Sequence, residues 1–145
     1  MVLEYCENGN LRNYLDQSEI YIDYEQKIDI LLQIVRGLLD IHNAGKVHKD
    51  FHPGNILFNG VNSPFISDLG VCRQAHDEGV MPYMAPEILQ GNQYTKAADI
   101  YSFGIMMNEF LSEETPYNDI SHDHFLAVKI CKGLRPKISE VTPAD

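Results

Sequence analysis

The chain has 145 residues, with 11 lysines and arginines against 21 aspartates and glutamates, so its formal charge is −10. This length fits one domain, or one large lobe of a bigger domain. The acidic balance argues against sequence-independent binding to nucleic acid or to anionic lipid, because both require clustered lysine and arginine.

The three cysteines, Cys6, Cys72 and Cys131, lie far apart and form no Cys-x-x-Cys pair. A disulfide framework or a zinc site is therefore not indicated, and a reducing compartment is favoured. The N-terminal residues lack the basic flank and apolar stretch of a secretory signal, and the longest apolar runs are too short to span a bilayer. We expect a cytoplasmic or otherwise intracellular protein that does not bind membranes; the sequence does not indicate an oligomeric state.

The first third of the chain begins with a predicted strand at Val2–Cys6, followed by turn residues. Asn10 is suited to cap a short helix at Leu11–Gln17. A longer helix follows, in which apolar residues recur at steps of three and four and predict one buried face. Gly45 closes it, since glycine readily adopts the left-handed conformation that follows a helix. The predicted buried face consists of Ile28, Leu31, Leu32, Val35, Leu38, Leu39 and His42.

Two short apolar segments lie in the middle of the chain, at Ile56–Phe58 and Pro64–Ser67. The pair Asn59-Gly60 between them indicates a β-hairpin. The segment that follows, Val71–Met84, is predicted to be a loop.

Two further helices are predicted in the last third of the chain. The first, over Ala97–Leu111, is apolar on nearly all sides, which is typical of a buried helix. The second is expected at His124–Lys132 and is closed by Gly133. The predicted fold class is α+β, mainly helical, with short β-hairpins.

The segment between the long helix and the hairpin is dense in polar side chains. Asp50 and Asn55 lie in it on either side of a Pro-Gly pair that can reverse the chain, and Asp68 follows the second strand of the hairpin. Carboxylate and amide oxygens are ligands that Mg²⁺ accepts while it keeps several waters. Each piece alone is also compatible with an ordinary turn, and His48 alone with a buried core histidine, so the residues by themselves leave both readings open.

Five short motifs follow one another along the chain: Leu3–Cys6, His48-Lys49-Asp50-x4-Asn55-Ile56-Leu57, Asp68-Leu69-Gly70, Ala85-Pro86-Glu87 and Asp99–Gly104. Together they resemble the eukaryotic protein kinase domain, and the resemblance covers essentially the whole chain. In that family the corresponding pieces are the hinge that receives adenine, the catalytic loop H-R-D-L-x-x-x-N, the D-F-G and A-P-E motifs, and the start of a buried central helix.

The resemblance implies the large C-terminal lobe of a protein kinase over residues 1–145. The hinge falls at 3–9, the catalytic loop at 48–55, the D-F-G-like motif at 68–70, the activation segment at 71–87 and the central helix at about 97–111. The family's glycine-rich loop and strand lysine precede the hinge and have no counterpart in the chain. We therefore expect a fragment without the small lobe that is inactive by itself.

The resemblance also implies roles for single residues, with ATP and Mg²⁺ as cofactors and a protein as substrate. Asp50 would orient the substrate hydroxyl, while His48 and Asp99 would brace the catalytic loop. Asn55 and Asp68 would hold the Mg²⁺ ions that neutralise charge on the transferred phosphoryl group. The implied contacts with adenine and ribose involve Glu4, Cys6, Asn10 and Leu57.

Three features depart from the family pattern. Lys49 replaces an arginine, which removes the ability to clamp a phosphate with two parallel bonds. The segment Val71–Met84 contains no serine or threonine, so we hypothesise that control by loop phosphorylation is absent. His52 and Val80 stand where serine/threonine kinases usually place a hydrogen-bonded lysine and threonine, so both partners of one bond are replaced together.

The predicted function is ATP-dependent phosphoryl transfer to a protein hydroxyl, with serine and threonine favoured over tyrosine. An alternative is a catalytically inactive kinase-like interaction module that uses the groove around Tyr83–Glu87 and the helix at His124–Lys132. A small-molecule phosphotransferase of the aminoglycoside-kinase type shares a similar loop, but Ala85-Pro86-Glu87 and Asp99–Gly104 argue against it. An incomplete gene product is a further alternative.

Overall fold

The computed structural model describes residues 9–16, 21–60, 62–69, 80–138 and 140. Within these ranges the chain forms five α-helices and one two-stranded antiparallel sheet, so the α+β, mainly helical fold class is confirmed. The predicted strand at Val2–Cys6 and residues 71–79 of the predicted loop lie outside the described residues. The elements in chain order are α1 (Leu11–Asp16), α2 (Tyr24–Asn43), β1 (Ile56–Phe58), β2 (Pro64–Ile66), α3 (Pro86–Leu89), α4 (Lys96–Ser112) and α5 (His124–Cys131).

The long helix α2 has well-defined ends. Asp23 and Gln26 form a capping box, in which Gln26 N donates to Asp23 Oδ1 at 2.8 Å and Asp23 N donates to Gln26 Oε1 at 3.2 Å. At the other end Gly45 adopts a φ of 74°, as the sequence predicts. The shorter α1 is capped as predicted too, because Asn13 N donates to Asn10 Oδ1 at 3.0 Å.

The predicted buried face of α2 was wrong in part. Ile28, Leu32 and Leu39 are 40%, 42% and 56% exposed. The buried face shares three residues with the predicted one and is rotated away from Leu32 and Leu39, because α2 packs only this side against α4 and β2. The residues buried on it are Lys27, Ile30, Leu31, Ile34, Leu38 and His42.

The predicted hairpin is present, with both strands where the sequence placed them to within one residue. Ile56 pairs with Ile66 and Phe58 with Pro64 in an antiparallel register. The connection is closed by Asn59 N, which donates to Ser63 O at 3.1 Å. Pro64 has no N–H and stands at the first position of its strand, where a proline is tolerated.

Helix α4 matches its predicted bounds within one residue, but it is not buried on nearly all sides. Ile100 and Met107 are exposed among the described residues. An apolar surface all round predicts burial only where neighbouring elements cover each side. The buried residues of α4 include two acidic ones, Asp99 and Glu109.

Helix α5 is preceded by two polar side chains, Asp123 and His122, that contact the nearby backbone. Asp123 Oδ1 accepts hydrogen bonds from Phe125 N at 2.9 Å and Leu126 N at 3.3 Å. His122 Nε2 lies 3.1 Å from the carbonyl oxygen of Pro116. Both side chains therefore serve the local backbone, and Gly133 follows the helix with a φ of 106°.

The main core lies between α1, α2, the hairpin and α4. The rings of Tyr14 and Phe58 stack with centroids 4.3 Å apart. Phe51 and Ile56 belong to the core and flank the polar loop between them, so burial of these two side chains fixes that loop on the rest of the fold. In the part of the chain that the structure describes, no helix combines the length and apolar character needed to cross a bilayer.

Candidate active site

The polar loop between α2 and β1 is tied to α4 by one buried carboxylate. Asp99 Oδ2 accepts a hydrogen bond from His48 N at 2.7 Å, and Asp99 Oδ1 accepts one from Lys49 N at 3.1 Å. His42 Nε2 lies 2.9 Å from the same Oδ2. Lys49 has a φ of 74°, a left-handed conformation that a non-glycine residue keeps only when its surroundings enforce it. Asp99 supplies that restraint.

His48 connects the loop to the end of β2. Its Nε2 lies 2.7 Å from the carbonyl oxygen of Ser67, and its Nδ1 accepts a hydrogen bond from Asp50 N at 3.2 Å. Since Nδ1 accepts, Nε2 must carry the proton and donate to Ser67. The fully buried imidazole thus sets the distance between Asp50 and the residue that precedes Asp68.

Asp50 and Asn55 contact each other directly. Asn55 Nδ2 donates to the Asp50 carbonyl oxygen at 2.7 Å and to Asp50 Oδ2 at 2.9 Å. A 3₁₀ turn at Pro53–Asn55 reverses the chain between them, as the Pro-Gly pair predicts. Both side chains are buried, and among the described residues the amide oxygen of Asn55 accepts no hydrogen bond.

Asp68 follows a residue, Ser67, that is hydrogen-bonded to the polar loop. Ser67 N and Oγ donate to the Asn55 carbonyl oxygen at 2.9 and 3.1 Å, so the residue before Asp68 is bonded to both His48 and Asn55. Asp68 is exposed and has a φ of 58°. A carboxylate and an amide oxygen are a donor set that fits Mg²⁺, which prefers oxygen ligands and retains water. No larger cluster of His, Cys, Asp or Glu able to hold a metal occurs in the described residues.

The remaining predicted site residues are placed in part. Asn10 forms an isolated β-bridge with Leu57, which is half-buried, and Gly9 O accepts a hydrogen bond from Phe58 N at 2.9 Å. The chain that leads from the predicted hinge therefore runs beside β1. Glu4 and Cys6 lie outside the described residues.

Sequence reasoning did not place His52 in the site. His52 Nε2 lies 3.4 Å from Asp50 Oδ1, and His52 Nδ1 accepts a hydrogen bond from Gly54 N at 3.1 Å. Val80, which stands where serine/threonine kinases usually place the threonine that bonds to this lysine, is buried. The signal available was the spacing of His52 two residues after Asp50, on the same loop.

A second buried polar cluster also escaped prediction. Tyr83 Oη donates to Glu109 Oε2 at 2.5 Å and accepts from Arg12 Nη2 at 2.9 Å, while Ser102 Oγ donates to the Tyr83 carbonyl oxygen at 2.7 Å. Burial raises the pKa of the Tyr83 phenol, and the nearby Glu109 carboxylate adds to the rise. Burial also raises the pKa of the Glu109 carboxyl, against the opposing effects of the Tyr83 bond and the Arg12 charge. The cluster fixes the segment before Ala85 on α4.

The comparison with known families identifies the class. Residues 1–143 match the protein kinase domain family, and the chain belongs to this family. The chain is 32% identical to the probable serine/threonine-protein kinase gdt2 of Dictyostelium discoideum, with 97% of the chain and 9% of that protein covered.

Two plant proteins are similar as well. The serine/threonine/tyrosine-protein kinase HT1 of Arabidopsis thaliana is 33% identical over 83% of this chain and 33% of its own length. A protein kinase and PP2C-like domain-containing protein of the same plant is 28% identical, with 95% of this chain and 27% of its own length covered. The chain thus spans from about a tenth to a third of the length of these three relatives.

Proposed function

We propose that the chain carries the catalytic centre of an ATP-dependent protein kinase, which transfers the terminal phosphoryl group of ATP to a hydroxyl group of a protein. The observation that carries the proposal is the direct pairing of Asp50 with Asn55 at 2.7 and 2.9 Å, in a loop held by the buried Asp99. A loop that only turned the chain would not need a buried acid and amide side by side, because burial of polar groups is unfavourable unless they are paired.

Asp50 acts on the substrate hydroxyl in this proposal. Its carboxylate accepts the hydroxyl hydrogen and aims the oxygen at the phosphoryl group, so that its main contribution is positioning. His48 and Asp99 act through the backbone, because they hold Lys49 and Asp50 in one conformation. These three residues therefore position the nucleophile without touching ATP.

Asn55 and Asp68 would hold Mg²⁺, which would neutralise charge on the transferred group when bound with ATP. Leu57 would contact adenine, and Asn10 would reach the ribose. Backbone groups of Glu4 and Cys6 would receive adenine. Serine and threonine are the proposed acceptors, in keeping with relatives that are named serine/threonine kinases.

The test measures transfer of labelled phosphate from Mg·ATP to a generic protein substrate by the full chain. We expect Asp50→Asn and Asp68→Asn each to lower incorporation by about 100-fold or more. Asp29→Asn, an identical change at an exposed position of α2, is the matched control and should have no effect. Calorimetry with Mg·ATP separates the two roles, since Asp50→Asn should retain nucleotide binding and Asp68→Asn should weaken it.

The outcomes of this test distinguish an active kinase from an inactive kinase-like domain. Incorporation that depends on Asp50 supports the proposal and contradicts the expectation that the chain is inactive by itself. Incorporation that survives Asp50→Asn contradicts the proposed site. Binding of Mg·ATP without transfer, in the wild-type chain, would place the chain among kinase-like domains that bind nucleotide but do not catalyse.

An inactive interaction module is the second candidate, and one observation favours it. Phe125 on α5 is 75% exposed, and Val128 on the next turn is exposed as well. Neighbouring exposed apolar side chains mark binding surfaces when they form a continuous patch, and these two residues, three positions apart, lie on one side of the helix. Calorimetry that shows no Mg·ATP binding, together with partner binding that Phe125→Ala abolishes, would favour this function over catalysis.

A further inference from the structure

We infer that His52 is a positioning residue for Asp50: its imidazole Nε2 lies beside the Asp50 carboxylate and, by donating a hydrogen bond to it, holds that carboxylate in the orientation that phosphoryl transfer requires. This inference rests on the proposed function and adds a residue to its site. Serine/threonine kinases usually have a lysine at this position, so a histidine here changes the chemistry next to the catalytic aspartate.

The tautomer of His52 follows from the turn that it caps. Gly54 N donates to His52 Nδ1 at 3.1 Å, and a ring nitrogen that accepts a hydrogen bond carries no proton. The proton of the neutral ring is therefore on Nε2. Gly54 is required for this arrangement, because a Cβ at that position would lie 2.7 Å from His52 Cε1 and 2.9 Å from Nδ1.

The Nε2 atom of His52 lies near Asp50 and has no closer polar partner among the described residues. His52 is only 9% exposed, and Nε2 has no hydrogen-bond partner among the described residues. Asp50 Oδ1 lies 3.4 Å from this nitrogen. Because a buried donor without an acceptor is destabilising, a shift of a few tenths of an ångström that shortens the contact into a hydrogen bond is favoured. Hydrogen bonds at catalytic sites are often longer before the substrate binds.

This contact restrains the one carboxylate oxygen that Asn55 does not bind. Asn55 Nδ2 donates to Asp50 Oδ2 at 2.9 Å, and His52 approaches Oδ1 from the other side. Donors at both oxygens fix the rotation of the carboxylate.

A simpler role for His52 is to cap the turn through Nδ1 alone. Two substitutions separate the roles because each retains one nitrogen position. His52→Asn places its amide oxygen near the position of Nδ1 and can still accept from Gly54, but it is too short to reach Asp50. His52→Gln places an amide N–H near the position of Nε2 and can still donate to Asp50, but it does not cap the turn.

The first arm of the experiment compares kcat and KM of the full chain and both variants. We expect His52→Asn to lower kcat about tenfold, the effect of losing one hydrogen bond to a charged group, with KM for ATP unchanged. His52→Gln should recover most of that loss. Equal losses in both variants, a loss confined to KM, or a wild-type kcat in His52→Asn would each overturn the inference.

The second arm requires no turnover. Nitrogen NMR of the chain with ¹⁵N-labelled histidine should show His52, identified by the signals lost in His52→Gln, with a protonated Nε2 and a bare Nδ1. Asp50→Asn should shift the Nε2 signal and leave Nδ1 in place. A proton on Nδ1, or an Nε2 signal that does not shift in Asp50→Asn, would refute the contact. If the Nε2 signal shifts in Asp50→Asn but the chain has no transfer activity, the result would count against the proposed function and support the contact between His52 and Asp50.

Discussion

Helix α4 carries one buried carboxylate near each end, and the two are held in opposite ways. Asp99, 1% exposed, accepts hydrogen bonds from two backbone N–H groups and lies 2.9 Å from His42 Nε2. Glu109, 5% exposed, accepts one hydrogen bond at 2.5 Å, from the phenol of Tyr83. The same helix therefore uses one carboxylate with several donors and one with a single side-chain donor.

The difference shows how a buried acid can serve either the backbone or a side chain. Asp99 lies in the first turn of α4, where the helix dipole favours negative charge, and it holds a strained loop residue, Lys49, in place. Glu109 lies ten residues later, without that dipole, and burial raises its carboxyl pKa. Asp99 therefore determines the geometry of the loop that holds Asp50, whereas Glu109 anchors the segment around Tyr83.

Replacing Asp99 should produce the largest effect. Asp99→Ala leaves the N–H groups of His48 and Lys49 buried without acceptors, and we expect the free energy of unfolding to fall by about 3 kcal/mol. Urea unfolding measures this change. Amide hydrogen exchange at His48 and Lys49 should rise with it, because the left-handed Lys49 loses its restraint.

An exposed aspartate provides the control for that substitution. Asp119→Ala removes only a 3.9 Å surface contact with Lys137 and should change the free energy of unfolding by less than about 0.5 kcal/mol. If Asp99→Ala were no more destabilising than Asp119→Ala, the loop would not depend on α4 and the comparison between the two acids would fail.

Removing the donor to Glu109 should have an intermediate effect. Tyr83→Phe deletes the hydroxyl that joins Glu109 to Arg12, so we expect a loss of about 2 kcal/mol in the free energy of unfolding, as for other hydrogen bonds to charged groups. Tyr21→Phe is the matched control, since Tyr21 is 90% exposed and its change should lie within about 0.5 kcal/mol of zero. Equal effects of the two substitutions would show that the phenol does not stabilise the buried acid.

Local spacing predicted one part of the site well and another part poorly. The contact between Asp50 and Asn55 spans five residues and a Pro-Gly pair, so the sequence alone placed the two side chains together. The pairing of Tyr83 with Glu109 spans 26 residues and that of Arg12 with Tyr83 spans 71. Partners so far apart are brought together by packing, and no periodicity in the sequence marks them.

The buried face of α2 was mispredicted for a related reason. Helical periodicity is satisfied equally by the stripe that contains Leu32 and by the stripe that contains Leu38. The choice between them depends on α4 and β2, which lie elsewhere in the sequence. The polar Lys27 on the buried side also misled the pattern, because its ammonium pairs with Glu113 and lies over the ring of Phe110.

Substitution of Glu109 should have the smallest effect, and one that depends on pH. Because the carboxyl pKa is raised above its unfolded value of 4.5, the folded chain holds this proton more tightly than the unfolded chain. Its contribution to stability is therefore fully present below pH 4.5 and is lost as the pH rises through the folded pKa. Glu109→Gln cannot titrate, so the wild type should gain stability relative to the variant as the pH falls through that window.

Urea unfolding of both chains at a series of pH values measures this difference, and at neutral pH we expect it to be about 1 kcal/mol or less, since the glutamine amide oxygen can still accept from Tyr83. Glu114→Gln, at an exposed position, controls for the change in overall charge. A wild type that loses stability relative to Glu109→Gln on acidification would mean that the folded state favours the charged carboxylate. The contrast between the two ends of α4 would then reduce to the number of donors that each acid binds.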